Sequence, residues 1–293
     1  MFETLTYELN DHVAHVVFNR RRLRNAMNAT SWRELGEVFN EIRDTPEARV
    51  AVLSSTGPHF CAGIDLKALG SLLDVSGEVD EGRRREAMMR IILELQDTVS
   101  ALERCRVPVL AAVQGGCIGG GVDIIAASDM RYCTEDAYFV IKETEIGMTA
   151  DLGTLQRLPH LIPAGVMREL AFTGRDMAAS EACEVGLVNQ VYADQESLLA
   201  GVMEIARSIA AHSPLAQRGI KEMLNYARDH SVAEGLNYIA VWNAAMIEGS
   251  ELMESLAARR GKRAAQYGDL LEGVDLDPQG GAKGGAKGKA AAE

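Results

Sequence analysis

No apolar run in this chain reaches the roughly 18 residues that a membrane-crossing helix needs, so the sequence offers no helical membrane span. Cysteine is sparse as well. The five cysteines, Cys61, Cys105, Cys117, Cys133 and Cys183, lack the paired spacing of a zinc site, and their odd number builds no disulfide framework. That usage suits a reducing compartment. Six histidines, His59 and His160 among them, show no metal-ligand spacing, so no metal is expected. Positive charge is short too: 30 basic against 42 acidic residues leave a net charge of -12, which repels polyphosphate backbones and argues against nucleic acid as a partner. Met1 leads almost directly into strand-like sequence without a signal or transit segment, and a cytoplasmic location, away from membranes, is the expectation.

What is present suits one large domain. The chain has 293 residues, 47% of them hydrophobic, enough to bury a sizeable core. Mixed apolar and polar positions over 7–18 and the apolar run 50–53 read as strands. Between them, Trp32, Leu35, Val38, Phe39 and Ile42 recur at helical spacing over 30–43, with Thr30 or Ser31 as N-cap. Strand, helix, strand favours parallel pairing. A second cycle runs through a loop at 56–66, a helix over about 84–104 and a strand at 109–113. A glycine-rich run, a helix at 122–127 and a strand at 130–133 follow. Beyond about 195 the apolar spacing is helical in four stretches, 198–211, 215–226, 232–246 and 252–265. The expected division is a core with the site at 1–195, a helical region at 196–268 and a structureless tail at 269–293, where Gly, Ala and Lys dominate.

The chemistry concentrates in two places. Gly115-Gly116-Cys117-Ile118-Gly119-Gly120-Gly121 packs five glycines between a buried strand and a helix. The spacing is not the nucleotide-binding G-x-G-x-x-G and no P-loop lysine follows. Tight strand-to-helix packing is one reading of such a run. Backbone N–H groups opening a helix toward developing negative charge are another. Asp123, three residues past Gly120, shares its helix face. Glu143, Glu145 and Asp151 follow among apolar residues, where an acid by itself is usually solvated. Phe60-Cys61-Ala62-Gly63-Ile64-Asp65-Leu66 is a second place where small residues would let a ligand lie on main chain, or an ordinary turn with Asp65 as a helix cap. Cys117 reads as a packing residue rather than a nucleophile.

Together with Asn25-Ala26-Met27-Asn28 and Thr154-Leu155-Gln156-Arg157-Leu158-Pro159, these segments resemble the crotonase superfamily of enoyl-CoA hydratases and isomerases over about residues 3–267. The resemblance implies an α/β fold, a spiral of ββα units with a C-terminal helical region, that binds acyl-CoA as substrate and uses no separate cofactor. It implies an oxyanion hole from the N–H groups of Ile64 and Gly120, a CoA path lined by Arg24, Ala26, Ala62, Asp65 and Leu66, and a homotrimer or homohexamer built on the C-terminal helices. Hydratases of the superfamily use two glutamates. Here Asp123 stands at the first position and Glu143 at the second, and Asp151 is a third acid eight residues later. This set resembles the dienoyl-CoA isomerases, which move 3,5-dienoyl-CoA to 2,4-dienoyl-CoA, and implies Asp123, Glu143 and Asp151 as catalytic residues. Glu143 is read as base and Asp151 as acid, with the reverse assignment open. A 2-enoyl-CoA hydratase, a 3,2-enoyl-CoA isomerase and a non-catalytic acyl-CoA- or RNA-binding relative are the alternatives.

Overall fold

The computed structural model describes residues 2–65, 67 and 80–271. It opens on a hairpin rather than the one strand expected over 7–18: β1 (Leu5–Asn10) pairs antiparallel with β2 (Val13–Phe18). The two turn residues between them, Asp11 and His12, both have positive φ (49° and 65°), the geometry of a two-residue turn whose twist matches its strands. Neither is glycine, so the usual sequence mark of such a turn is missing. α1 (Ala29–Asp44) then crosses to β3 (Val50–Ser55), which pairs parallel with β2 as expected. The cap of α1 is Asn28, not Thr30 or Ser31: its Oδ1 accepts from Ser31 N and Oγ, each at 2.8 Å.

α2 (Glu81–Arg104) leads to β4 (Val109–Val113), and from there the chain alternates between two sheets. β5 (Gly116–Ile118), inside the glycine run, starts a small sheet; α3 (Gly120–Ala126) returns the chain to β6 (Met130–Thr134), and β7 (Tyr138–Val140) rejoins the small sheet. α4 (Thr154–Arg157) and α5 (Ala164–Thr173) precede β8 (Met177–Ala178), α6 (Ala179–Glu184) and β9 (Gln190–Tyr192). The large sheet runs β1-β2-β3-β4-β6-β9 and the small one β5-β7-β8. From β4 to β7 successive strands alternate between the two sheets, whereas β1, β2 and β3 all join the large one; this is the expected α/β spiral. The short strands β5, β7, β8 and β9 give two or three residues each, too few for a period to register.

Four helices complete the described chain: α7 (Gln195–Ala210), α8 (Pro214–Asp229), α9 (Val232–Met246) and α10 (Gly249–Gly261). α7 packs Leu198, Val202, Ala206 and Ala210 on the large sheet. α8 is anchored by Lys221, 5% exposed, whose ammonium meets Asp129 Oδ2 (2.8 Å) and the carbonyls of Leu102 (2.9 Å) and Val107 (3.0 Å). Asp269, where the structureless tail is expected to begin, pairs with Arg49 at 2.7 Å. Residues 272–293 of that expected tail lie outside the described ones.

Candidate active site

The loop after β3 runs beside β5. Cys61 N donates to Gly116 O (3.1 Å), Ile118 N donates to Cys61 O (2.9 Å), and Cys61 and Cys117 are bridge partners. Three residues beyond each of these partners stand Ile64 and Gly120, so one register carries both amides forward together. Gly63 turns with φ +84°, and a Cβ on it would meet Ile118 O at 3.1 Å. Gly119 (φ +50°) donates to Val140 O at 2.9 Å and swings the chain into α3. The flanking amides are engaged: Met27 N with Gly63 O, Asp65 N with Met27 O, Val122 N with Gly119 O. The amides of Ile64 and Gly120 have no backbone acceptor among the described residues. A pair of unspent donors is what a carbonyl gaining negative charge requires.

Three acids lie within electrostatic reach of one another here, with Asp123 and Glu143 beside the glycine run. Asp123, in the first turn of α3, is buried, and its Oδ1 accepts from Thr154 N (2.7 Å) and Thr154 Oγ1 (2.6 Å). Burial nevertheless pushes its carboxyl up to about 6, with the Asp151 charge adding to the rise. Glu143 begins the short 3₁₀ turn Glu143–Ile146. Its Oε1 reaches back to the glycine run, where a Cβ on Gly119 would come within 3.0 Å of it. Burial, then the Asp123 and Asp151 charges, push it up to about 7. Asp151 lies between buried Ala150 and Leu152, is itself raised by burial, and has its carbonyl held by Gln96 Nε2 of α2 at 2.7 Å. Three carboxyls that resist sharing negative charge titrate as a set, which is how one of them keeps a proton near neutral pH.

An acid with a raised native pKa binds more protons folded than unfolded, so its burial costs stability as pH rises through that window. For Asp123 the cost appears between its ordinary 3.8 and about 6, and reaches about 3 kcal/mol above it. Asp123→Asn keeps an oxygen for Thr154 and sheds the charge. The variant should therefore gain up to about 3 kcal/mol in denaturant unfolding at pH 8 at fixed protein concentration, with the gain vanishing near pH 4. A gain independent of pH would show that charge burial is not its source.

The segment expected to line a CoA path is braced from behind. Arg24 is exposed and left-handed (φ 52°), and its carbonyl accepts from Ala62 N at 3.0 Å. Arg20 donates to Ala26 O and pairs with Asp65 Oδ2 at 3.2 Å. Asn25 donates to Thr56 O (2.8 Å) and His59 O (2.9 Å). Leu66 lies outside the described residues. Sequence reasoning missed Arg20, Gln96 and the bond from Thr154 to Asp123, because each acts across a long chain separation that no local spacing displays. Trp32 was placed only in a helix core; its ring also covers Gly120, where a Cβ would fall 2.9 Å from it. Cys117 is fully buried, which raises its thiol far above the reactive range.

Residues 8–270 match the enoyl-CoA hydratase/isomerase family, and the chain belongs to that family. It is 47% identical over 249 residues to the human mitochondrial protein named Delta(3,5)-Delta(2,4)-dienoyl-CoA isomerase, covering 84% of this chain and 76% of that one. A peroxisomal protein of the same name from Arabidopsis thaliana is 41% identical over 269 residues, covering 92% of this chain and 97% of the relative. Among solved structures, an enoyl-CoA hydratase from Bacillus anthracis superposes with a TM-score of 0.81 at 30% identity, over 91% of this chain and 99% of that one. These relatives correct the expected cytoplasmic location, since they are mitochondrial and peroxisomal proteins. The reducing character inferred from scattered thiols does not single out the cytoplasm.

Proposed function

We propose that this chain is a dienoyl-CoA isomerase that converts 3,5-dienoyl-CoA to 2,4-dienoyl-CoA. The observation that carries this reading is the third acid: Asp151 stands within electrostatic reach of Asp123 and Glu143, and all three carboxyls are raised. The reaction moves hydrogens at two carbons four positions apart, so it needs two acid–base groups and one anion site. The thioester oxygen sits on the amides of Ile64 and Gly120. Glu143, beside Gly119 and so beside the thioester, takes the proton from C2, and the electron pair shifts through a dienolate to C6, where Asp151 delivers its proton. The cycle ends with the proton on Glu143 and Asp151 ionised, and exchange with water restores the start. Asp123, held by Thr154, keeps negative charge beside Glu143 and raises its basicity.

Arg24, Ala26, Ala62 and Asp65 line the CoA path in this reading, coenzyme A belongs to the substrate, and no further cofactor enters a step. The core over 1–195 carries the site. The helical region over 196–268 supports a homotrimer or a dimer of trimers: α9 buries no side chain within the chain, and Val232, Leu236 and Val241 lie exposed. Hydration of a 2-enoyl-CoA is disfavoured because Asp123, shorter than glutamate, is already held by Thr154. Purified protein should convert a synthetic 3,5-dienoyl-CoA to the 2,4-isomer, seen as rising absorbance of the conjugated thioester, and leave 2-enoyl-CoA unhydrated. Hydration without diene migration, or tight acyl-CoA binding without turnover, would overturn the assignment.

A further inference from the structure

The isomerase reading gives no role to Arg157, yet its side chain is only 13% exposed, lies beside Asp151 in the same cavity and feels the charge of Asp123. It ends α4, the turn of helix that begins with Thr154. Its Nη1 donates to Leu152 O at 3.2 Å and its Nη2 to Ser100 Oγ at 2.9 Å, while Glu103 Oε2 pairs with Nη2 at 3.0 Å. Gly153 (φ +124°) leaves the space that the guanidinium fills, since a Cβ there would fall 1.8 Å from Nη1. The turn formed by residues 151–154, which leads into α4, carries Asp151 at one end and, at the other, the Thr154 groups that hold Asp123. Charged groups face Arg157 from every side: Glu103 on α2, Arg228 and Asp229 on α8, Asp123 on α3, Asp151 on the turn itself, and His160 beyond it. Glu103 divides its oxygens between Arg157 and Arg228, so the brace is tied to both α2 and α8.

We propose that Arg157 is a positioning residue for the second half of the isomerisation, holding the 151–154 turn so that Asp151 meets C6 of the dienolate. This inference rests on the isomerase reading above. Glu143 rides on a different segment, the Glu143–Ile146 turn, and Arg157 makes no hydrogen bond to it. Loss of the brace therefore falls mainly on delivery at C6 and reaches Glu143 only indirectly, through Thr154 and Asp123. In D₂O, removal and return of the C2 proton appears as deuterium entering C2 of the substrate, whereas delivery at C6 appears only as product.

Arg157→Met should lower product formation by between about ten- and a hundredfold, the cost of a catalytic group displaced on the scale of an ångström, with KM within about twofold and C2 exchange retained. The ratio of C2 exchange to product formation then rises at least about tenfold, and Arg157→Lys, which keeps the charge and can still meet Glu103, recovers part of the loss. Glu103→Gln should move the ratio in the same direction by less. Exchange and product falling together in Arg157→Met, as loss of folded protein would produce, sinks the proposal, and so does an unchanged ratio. Failure of the underlying reading looks different: the unaltered protein would make no 2,4-dienoyl-CoA, or Asp151→Asn would make it at the normal rate.

Discussion

Glu143→Gln and Asp151→Asn should each lower turnover of 3,5-dienoyl-CoA at least about a hundredfold, since each removes a group that transfers a proton in the transition state. KM should change little, because the amides and the CoA path bind the thioester without either side chain. The two variants differ in what survives. With Asp151→Asn, Glu143 still takes and returns the C2 proton, so C2 exchanges with D₂O while no product forms. With Glu143→Gln, exchange and product are both lost. The opposite pattern would interchange base and acid, and near-normal turnover would remove the residue from the chemistry. In the unaltered protein kcat/KM should rise with pH up to about 7, where Glu143 ionises to act as base.

The second large effect falls on backbone. Gly63→Ala adds one methyl group where φ is +84° and Ile118 O stands 3.1 Å away; both the conformation and the contact force the loop to move, and the Ile64 amide moves with it. Losing one oxyanion donor costs about 3–4 kcal/mol, so kcat should fall by between about a hundred- and a thousandfold, with the folded state checked by circular dichroism. A loss of threefold or less would mean that the Ile64 amide does not hold the developing charge.

The sequence and structure agree where a feature is local and repeats. Helix α9 spans the 232–246 expected from its apolar spacing, and β4 matches the buried run 109–113. The parallel pairing of β2 with β3 followed from their order around a helix. Agreement fails where two residues decide a backbone path: the left-handed Asp11 and His12 split one expected strand into a hairpin. The three acids were legible through the family resemblance, since any one of them by itself reads as a solvated side chain. Their setting was not. Thr154 lies 31 residues from Asp123 and Gln96 lies 55 from Asp151, contacts that exist only once α2, α3 and the 151–154 turn have packed together. The compartment was misjudged because thiol usage reports redox state rather than location.

The anchoring of α8 has a consequence for how far the chain can be shortened. Lys221 fills a socket made by the end of α2, the loop before β4 and Asp129, whose Oδ2 also accepts from Val109 N at 2.7 Å. A fragment ending after α7 would leave that carboxylate facing an empty socket and two inward carbonyls bare, a cost of several kcal/mol before any apolar surface is counted. Helix α8 is therefore a keystone for the half of the molecule that does the chemistry, and the minimal catalytic unit extends through it.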